Sequence, residues 1–455
     1  MEREEMLESQ EELQEIHELI EEGVEYGLLE KLTRLHPSDI ARVIERLNPE
    51  TKREVFNLLQ TDTASDVILE VNDASRGHIL EGMDEEKLTD MVEEMESDDA
   101  ADLISDLPED VADSVLEHIS KAGAEEVQKL LGYPEDTAGG IMQAEFVAVR
   151  EDSTVGRVIE HLRTVAEEVG EVHSIFVVSR EKRLVGSVPL SRLILARPDT
   201  AISTIMETEF PKVTPDYDQE EVARIFKKYD IVALPVVDNE GRLIGRITVD
   251  DVVDVMEREA SEDFYRMAGV SHDEKVSDPV FKSFKRRCGW LTINLATAIL
   301  AASVVGLFQD TIQALVILAV YMPIVAGMGG NAGTQTITVI VRGLALGELE
   351  FGTAKKALIK EVYLGLANGI ATGIMAALVS YWWNGNYMLG VVICLAMIIN
   401  LMIAGLTGTL IPLLLKWVRV DPALASSVFV TTFTDVGGFF SFLGLATLFM
   451  RAGLL

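Results

Sequence analysis

The chain has 455 residues, with 74 acidic and 39 basic side chains and a formal net charge of −35. The acidity is confined to one part: before Arg286 there are 68 acidic and 30 basic residues, and from Arg286 onward only 6 and 9. A large acidic soluble part followed by an apolar membrane part excludes nucleic acid as a partner, because phosphate contacts need Lys and Arg, and it favours cations.

The N-terminal stretch, MEREEMLESQEELQEIHELIEE, is charged from its second residue and has no apolar core, so no secretory signal is expected and the soluble part should stay in the cytoplasm. From Leu35 the chain repeats every 12 residues, in eight units that end at Leu130. The first position of each unit is apolar (Leu35, Leu47, Leu59, Val71, Met83, Met95, Leu107, Ile119), and so is the ninth (Val43, Val55, Val67, Ile79, Met91, Leu103, Val115, Val127). Cap or turn residues such as Ser38, Pro49, Asp62 and Ser97 follow the first position, so each unit predicts one short helix. Such helices stack into a superhelix because none can bury its apolar face alone. Their outward faces carry many carboxylates, among them Asp98, Asp99, Asp102 and Asp106. Any one of these reads as solvated surface, but together they repel one another when the domain compacts.

Residues 141–256 change character. HSIFVVSR and IVALPVVD each precede a turn and a second strand, giving two copies about 59 residues apart, SIFVVSREKRLVGSVPLSRLI and ALPVVDNEGRLIGRITVDDVV. The pair resembles a tandem of cystathionine-β-synthase (CBS) domains, small α/β modules that often bind adenosyl ligands. By that resemblance Thr248 and Asp251 stand where the family contacts a ribose and phosphate, whereas the first copy has Pro189 and Arg192 there. An adenine nucleotide, most plausibly ATP, is therefore expected in the second half. An acidic connector, DVMEREASEDF, follows.

Apolar runs at about 288–308, 312–341, 361–383, 387–415 and 423–449 each meet the ~20 residues that a membrane helix needs. Their flanks place Lys282, Lys285, Arg286, Arg287, Arg342, Lys355, Lys356, Lys360, Lys416 and Arg419 on one side, against Arg451 on the other. This bias predicts a cytoplasmic N-terminus and an outside C-terminus. The second run is interrupted by PIVAGMGGNAGTQT, where breakers crowd around Asn331 and Gln335. Irregular backbone at membrane depth is tolerated where it lines a cavity, and carbonyl and amide oxygens are hard ligands suited to Mg²⁺ or Ca²⁺. The plainer reading is close helix packing through small residues. Asp435 stands near the middle of the otherwise uncharged run Ala423 to Phe449. A charge at that depth costs roughly 2.5–3.5 kcal/mol on insertion scales, which marks an ion path. Its plainer reading is a cap on a helix broken at Gly437 and Gly438.

Cys288 and Cys394 have no CxxC or Cys/His spacing and read as packing residues. The histidines, His17, His36, His78, His118, His161, His173 and His272, are scattered. No Walker loop, HExxH or supported Ser/His/Asp pattern is present, so an enzyme is not expected. Besides a channel, two classes remain: a coupled secondary transporter, which also uses broken helices, and a membrane-anchored enzyme or nucleotide sensor built on the paired domains. A lone intramembrane Asp, with no second acid for a proton relay, speaks against coupling.

The order of acidic superhelix, CBS pair, acidic connector, and spans bearing PIVAGMGGNAGTQ and TDVGG resembles the MgtE family of Mg²⁺ channels over essentially the whole chain. The resemblance implies a multidomain homodimer in the inner (plasma) membrane: an all-α superhelix over 1–130, the α/β tandem CBS pair over 131–253, a connecting plug helix over 254–285 and an all-α five-helix transmembrane domain over 286–455. It implies that Asp435 faces hydrated Mg²⁺ on the two-fold axis with Asn331 nearby. Cytoplasmic Mg²⁺ sites are implied at Asp98 and Asp102, at Asp218, Glu220 and Asp230, at Asp251 and Asp254, and at Glu259, Glu262 and Asp263 beside Asp421. Ser427 and Thr431 depart from some relatives, which bears on hydration contacts near the pore. Mg²⁺ is the expected permeant ion and gating ligand, with closure by internal Mg²⁺.

Overall fold

The structure, a computed structural model, describes residues 25–169, 172–271, 274, 276, 278–349, 351–424 and 426–455. The N-terminal stretch read above and the histidines His17 and His272 lie outside the described residues. The chain forms two compact units that divide after Met256.

The first unit opens with α1 (Glu25–Leu32) and then gives one helix per twelve-residue unit: α2 (Pro37–Glu45), α3 (Pro49–Leu58), α4 (Thr61–Glu70), α5 (Asp73–Leu80), α6 (Glu85–Glu94), α7 (Ser97–Ser105), α8 (Glu109–His118) and α9 (Lys121–Leu130). The second residue of each unit is the N-cap, and Asn48, Asn72 and Ser120 accept from the N–H groups of Thr51, Ser75 and Gly123 at 3.0, 3.0 and 3.2 Å. All eight ninth-position side chains are buried. Packing runs between alternate helices, α2 on α4, α3 on α5, α4 on α6, α6 on α8 and α7 on α9, which is the stacked superhelix the period predicts.

Two similar sheets follow. Strand β1 (Ala148–Arg150) runs parallel to β2 (Ser174–Val178), which pairs antiparallel with β3 (Leu184–Pro189); in the second copy β4 (Ala233–Val237) pairs antiparallel with β5 (Leu243–Thr248). The register shifts after Val177 and after Val236, and the left-handed turn residues are Lys182 (φ 61°) and Gly241 (φ 81°), so the 59-residue offset holds to the residue. Helices α10 (Val155–Val169), α11 (Leu190–Leu195), α12 (Ile202–Ile205), α13 (Gln219–Tyr229) and α14 (Val249–Met267) complete the copies. The copies differ in their packing. Val222, Phe226, Val236, Ile247 and Val252 belong to the same core as the superhelix, through Ala138, Ile141 and Met142. The first copy keeps its own core around Val149, Val158, Ile175 and Val188. The superhelix is thus fused to the second copy.

The second unit holds α15 (Val280–Gly306), α16 (Gln309–Ala314), α17 (Leu318–Ala345), α18 (Phe351–Asn384), α19 (Tyr387–Trp417) and α20 (Ser426–Arg451). Four of these, α15, α18, α19 and α20, are long and apolar enough to cross a membrane. Helix α17 is 28 residues long, but its glycine-rich polar stretch dilutes its apolarity; it is packed inside, against α19 and α20. The span expected at 254–285 as one connector comprises the end of α14, a link, and the first turns of α15. Asp278 there receives Lys282 at 2.8 Å and Arg286 at 2.9 Å, and Glu274 receives Arg287 at 2.7 Å. Exposed Tyr381, Trp382, Trp383 and Tyr387 crowd the turn between α18 and α19, and exposed Trp417 marks the far end of α19. The roughly 45 Å between these belts at 1.5 Å per residue matches a bilayer with its headgroups.

One expectation is corrected here, and the plainer reading of Asp435 as a cap falls with it. The glycine-rich stretch does not break α17, which runs through Pro323 unbroken, and α20 runs unbroken through Gly437 and Gly438, so Asp435 caps nothing. The glycines serve packing instead. Along α18, Gly365, Gly369 and Gly373 recur every four residues and lie against Leu401, Ile398 and Cys394 of α19, while Gly390 and Gly405 of α19 lie against Ala377 and Glu361 of α18. Close backbone approach through small residues replaces the hydrophobic drive that helices lack in lipid.

A Cβ at Gly369 would come within 2.7 Å of the Ile398 Cα, whereas one at Gly352 would meet nothing. Gly369→Ala should therefore cost about 1–3 kcal/mol of packing. In detergent-solubilised protein its thermal midpoint should fall by several degrees, while that of Gly352→Ala stays within a degree or so of the parent.

Candidate metal centre and ion path

The first unit gathers carboxylates at two helix N-termini. Glu96 occupies the N-cap position of α7 and Asp98 and Asp99 fill its first turn, while Asp250 and Asp251 fill the first turn of α14. Each placement is favoured locally, because an acidic side chain near a helix N-terminus meets the positive end of the macrodipole. The two ends converge through the segment after the superhelix. Ser97 Oγ donates to Glu145 at 2.8 Å and accepts from the Ala144 N–H at 2.8 Å; Gln143 Nε2 donates to Glu96 at 2.5 Å and lies 3.4 Å from Asp251. Gln143 Oε1 in turn accepts from buried Arg246 at 3.0 Å, and that guanidinium stands 3.9 Å from Glu96.

Ligand oxygens of Glu96, Asp98 and Asp99 all lie within 4.8 Å of one another. Asp98 is 6% exposed, and its Oδ1 is buried with no hydrogen-bond partner among the described residues. The electrostatic consequence is uniform. Burial, then repulsion from Asp251, Asp99 and Glu96, holds the Asp98 carboxyl well above its usual range. Burial, offset in part by Arg246, raises Glu96 to about 7; burial and Asp251 raise Asp99 to about 7; burial raises Asp251 to about 6 against the hydrogen bonds from Thr248. Such a set fits a hard divalent cation, which takes carboxylate oxygens. The buried, unpartnered Asp98 oxygen is the group such an ion satisfies.

Of the residues read from sequence, Asp98 and Asp251 meet here, and Asp102 and Asp254 stand beside them, each raising a neighbour's affinity for protons. Glu96, Asp99, Asp250 and Glu145 were missed as members. Glu96, Asp99 and Asp250 had a signal, since ESDD and VDD set them next to recognised residues; loop-borne Glu145 had none. Asp218, Glu220 and Asp230 do not gather: Asp218 and Glu220 open the 11-residue α13 and Asp230 closes it, ~16 Å apart at 1.5 Å per residue. Asp218 accepts from the Glu220 N–H at 2.9 Å, and Glu220 pairs with Arg224 at 2.9 Å. Thr248 is buried and its hydroxyl donates to Asp251 at 2.7 Å, so the two expected nucleotide contacts hold each other. In the first copy Arg192 is occupied by Glu207 at 2.6 Å.

The second unit gathers a second set. Arg266 of α14 pairs with both Glu262 and Asp421. Burial, then Asp421 and Glu259, raises Asp263 to about 6, with Arg342 opposing. All four residues expected at this place are therefore in one neighbourhood.

The expected ion path lies on α17 and α20. Gly333 abuts Val430, and Asn400 of α19 abuts both Gly329 and Gly438, so the two helices run antiparallel with positions 331 and 435 at similar depth. Asn331 is exposed, and Asp435 is partly exposed with no hydrogen-bond or ion-pair partner among the described residues. Asp435 is not the lone acid of the bundle. Glu361 of α18 is 4% exposed, accepts from Thr336 of α17 at 3.2 Å and stands 3.2 Å from the Lys360 ammonium.

Three family models match the chain: the divalent cation transporter MgtE over residues 322–445, the MgtE intracellular N domain over 35–136, and the CBS domain over 138–199 and 202–258. A magnesium transporter MgtE of Thermus thermophilus is 39% identical over 72% of this chain and 73% of its own length, and one of Bacillus subtilis is 34% identical over 74% and 75%. Among solved structures, the cytosolic domain of the Mg²⁺ channel MgtE in complex with ATP is 36% identical, with TM-score 0.51, over 53% of this chain and 98% of its own.

The raised carboxyls set the sign of a pH effect. In the folded protein Glu96, Asp99 and Asp251 hold protons more tightly than in the unfolded chain, so folding binds protons and stability falls as pH rises from about 4.5 to about 7. With chelator present, proteolysis of the soluble part in the full-length protein should be slower at pH 5 than at pH 8. Glu96→Gln should flatten that dependence, and a parent profile that is already flat would contradict the crowding of these groups.

Proposed function

The chain belongs to the MgtE family of magnesium transporters, and from that premise we propose that it is a Mg²⁺ channel of the inner membrane that internal Mg²⁺ shuts. The observation that carries the gating half is the buried, unpartnered Asp98 oxygen among the carboxylates of Glu96, Asp99 and Asp251. These residues, with Asp102, Asp250 and Asp254 around them, would hold a divalent ion, and Glu259, Glu262, Asp263 and Asp421 a second. A bound divalent cation supplies the positive charge that offsets their repulsion. With that charge the two helix N-termini are stable side by side; without it, repulsion between buried carboxylates favours their separation. A ligand biases a gate by its differential affinity for the two states, and only the compact arrangement presents all these oxygens together.

In the ion path Asp435 of α20 and Asn331 of α17 stand at similar depth. Mg²⁺ gives up its waters reluctantly, so one acidic ring suits a hydrated ion held weakly enough to leave. The ring requires a second copy. Its support is the exposed apolar pair Ile194 and Val253, which occupy equivalent positions of the 59-residue repeat beside exposed Leu195 and Met256. Five crossings, with α17 as the second, put the ten basic flanking residues inside and Arg451 outside. An adenine nucleotide would bind the second CBS copy at Thr248 and Asp251, and the cytosolic domain of the channel relative in complex with ATP supports the ligand class.

A coupled transporter is the second reading, and Glu361 favours it by supplying the second buried acid that a relay needs. Unitary current steps in a patch recording decide for the channel; flux that collapses a proton gradient decides for coupling.

Three outcomes are expected. Asp435→Asn keeps the size and loses the charge, so a Mg²⁺-auxotrophic host carrying it should fail to grow without supplement while the dimer still forms. Removing residues 1–130 deletes Glu96, Asp98 and Asp99 but leaves the spans, so open probability should depend less steeply on internal Mg²⁺; curves that superimpose on the parent's would exclude the superhelix from the sensor. Thr248→Val should weaken ATP binding by calorimetry, and an unchanged affinity would remove the nucleotide from this copy.

A further inference from the structure

Asn400 is 0% exposed in the middle of α19, where an apolar side chain would pack without cost. Its Nδ2 donates to the Val325 carbonyl of α17 at 2.8 Å, and its Oδ1 is buried with no hydrogen-bond partner. An unpaired acceptor at this depth lowers stability, so packing alone does not account for an amide here. Its neighbours do. A Cβ at Gly329 of α17 would overlap the Asn400 amide, and one at Gly438 of α20 would come within 2.7 Å of Nδ2 and 3.0 Å of Cγ. One polar side chain is therefore clasped between two glycines on two helices.

Those helices carry the ion path. Gly438 lies one turn beyond Asp435 on the same side of α20. Asn331 follows Gly329 by two positions, about 200° further round α17, and so faces away from α19. We propose that Asn400 is a positioning residue for permeation: it sets the depth and rotation of Asn331 against Asp435 by hydrogen-bonding α17 and abutting α20, without touching the ion. The inference rests on the assignment of Asp435 and Asn331 to the ion path.

The test is a cycle in full-length protein reconstituted in vesicles, with Gly438→Ala, Asn400→Ser and the double variant assayed for Mg²⁺ uptake against external Mg²⁺, for Ca²⁺ competition, and for thermal midpoint. Gly438→Ala forces the amide aside and should cut uptake about tenfold, whereas the smaller Ser makes room, so the double variant should recover to within about threefold of the parent. Asn400→Ser alone should shift the half-saturating Mg²⁺ concentration or the Ca²⁺ competition, which a purely structural residue would leave in place. Additive losses in the cycle, or coupling in the thermal midpoint with half-saturation and competition unmoved, overturn the proposal. Asp435→Asn is run beside the cycle: if that variant conducts like the parent, the ion-path assignment falls, and uptake coupling between Asn400 and Gly438 then reports on another route.

Discussion

Like charges held in a small, partly buried volume are the constraint on which the architecture of the first unit depends. Glu96, Asp98 and Asp99 are drawn to one helix N-terminus and Asp250 and Asp251 to another by ordinary capping preference. Each preference is worth a few tenths of a kcal/mol to about 1. Bringing the two ends together costs more, as the carboxyls displaced to about 7 at Glu96 and Asp99 record. Arg246 and Gln143 compensate only part of this, since one guanidinium at 3.9 Å from Glu96 faces several acids. Positive charge from outside the chain would relieve this crowding, which is the basis on which the cluster is proposed as a sensor.

The same economy of charge operates inside the bundle with the opposite outcome. Arg266 satisfies Glu262 and Asp421, and Asp278 collects Lys282 and Arg286, so these acids are neutralised from within the chain. Asp435 has no such partner among the described residues.

The superhelix was legible almost to the residue, because a twelve-residue period fixes both the buried ninth position and the cap at the second. The paired sheets were legible from their 59-residue offset for a similar reason. What the sequence hid was three-dimensional. Glycines read as helix breakers in PIVAGMGGNAGTQT are instead contact points, because a glycine that ends a helix and one that admits a neighbour look alike until the neighbour is placed. Asp218 and Asp230 were implied by the family resemblance, and within this chain they stand at the two ends of α13. Glu145, Glu361 and Asn400 gave little local signal, since each makes a hydrogen bond to a residue more than 20 positions away.

Asn400 and the carboxylate cluster express one principle at different depths. Both are buried polar groups left with an unused acceptor, Asn400 Oδ1 in the bundle and Asp98 Oδ1 in the soluble unit. In water-facing protein such an oxygen can be satisfied by an arriving cation, and the arrangement becomes responsive. Between packed helices, where Gly329 and Gly438 leave no room for an ion, the same deficit has another use. It keeps a short, directional hydrogen bond to Val325 at a place where an aliphatic side chain would allow the helices to slide, and so exchanges some stability for a defined register. That register sets where Asn331 of α17 stands against Asp435 of α20, which is the relation that the proposed ion path depends on.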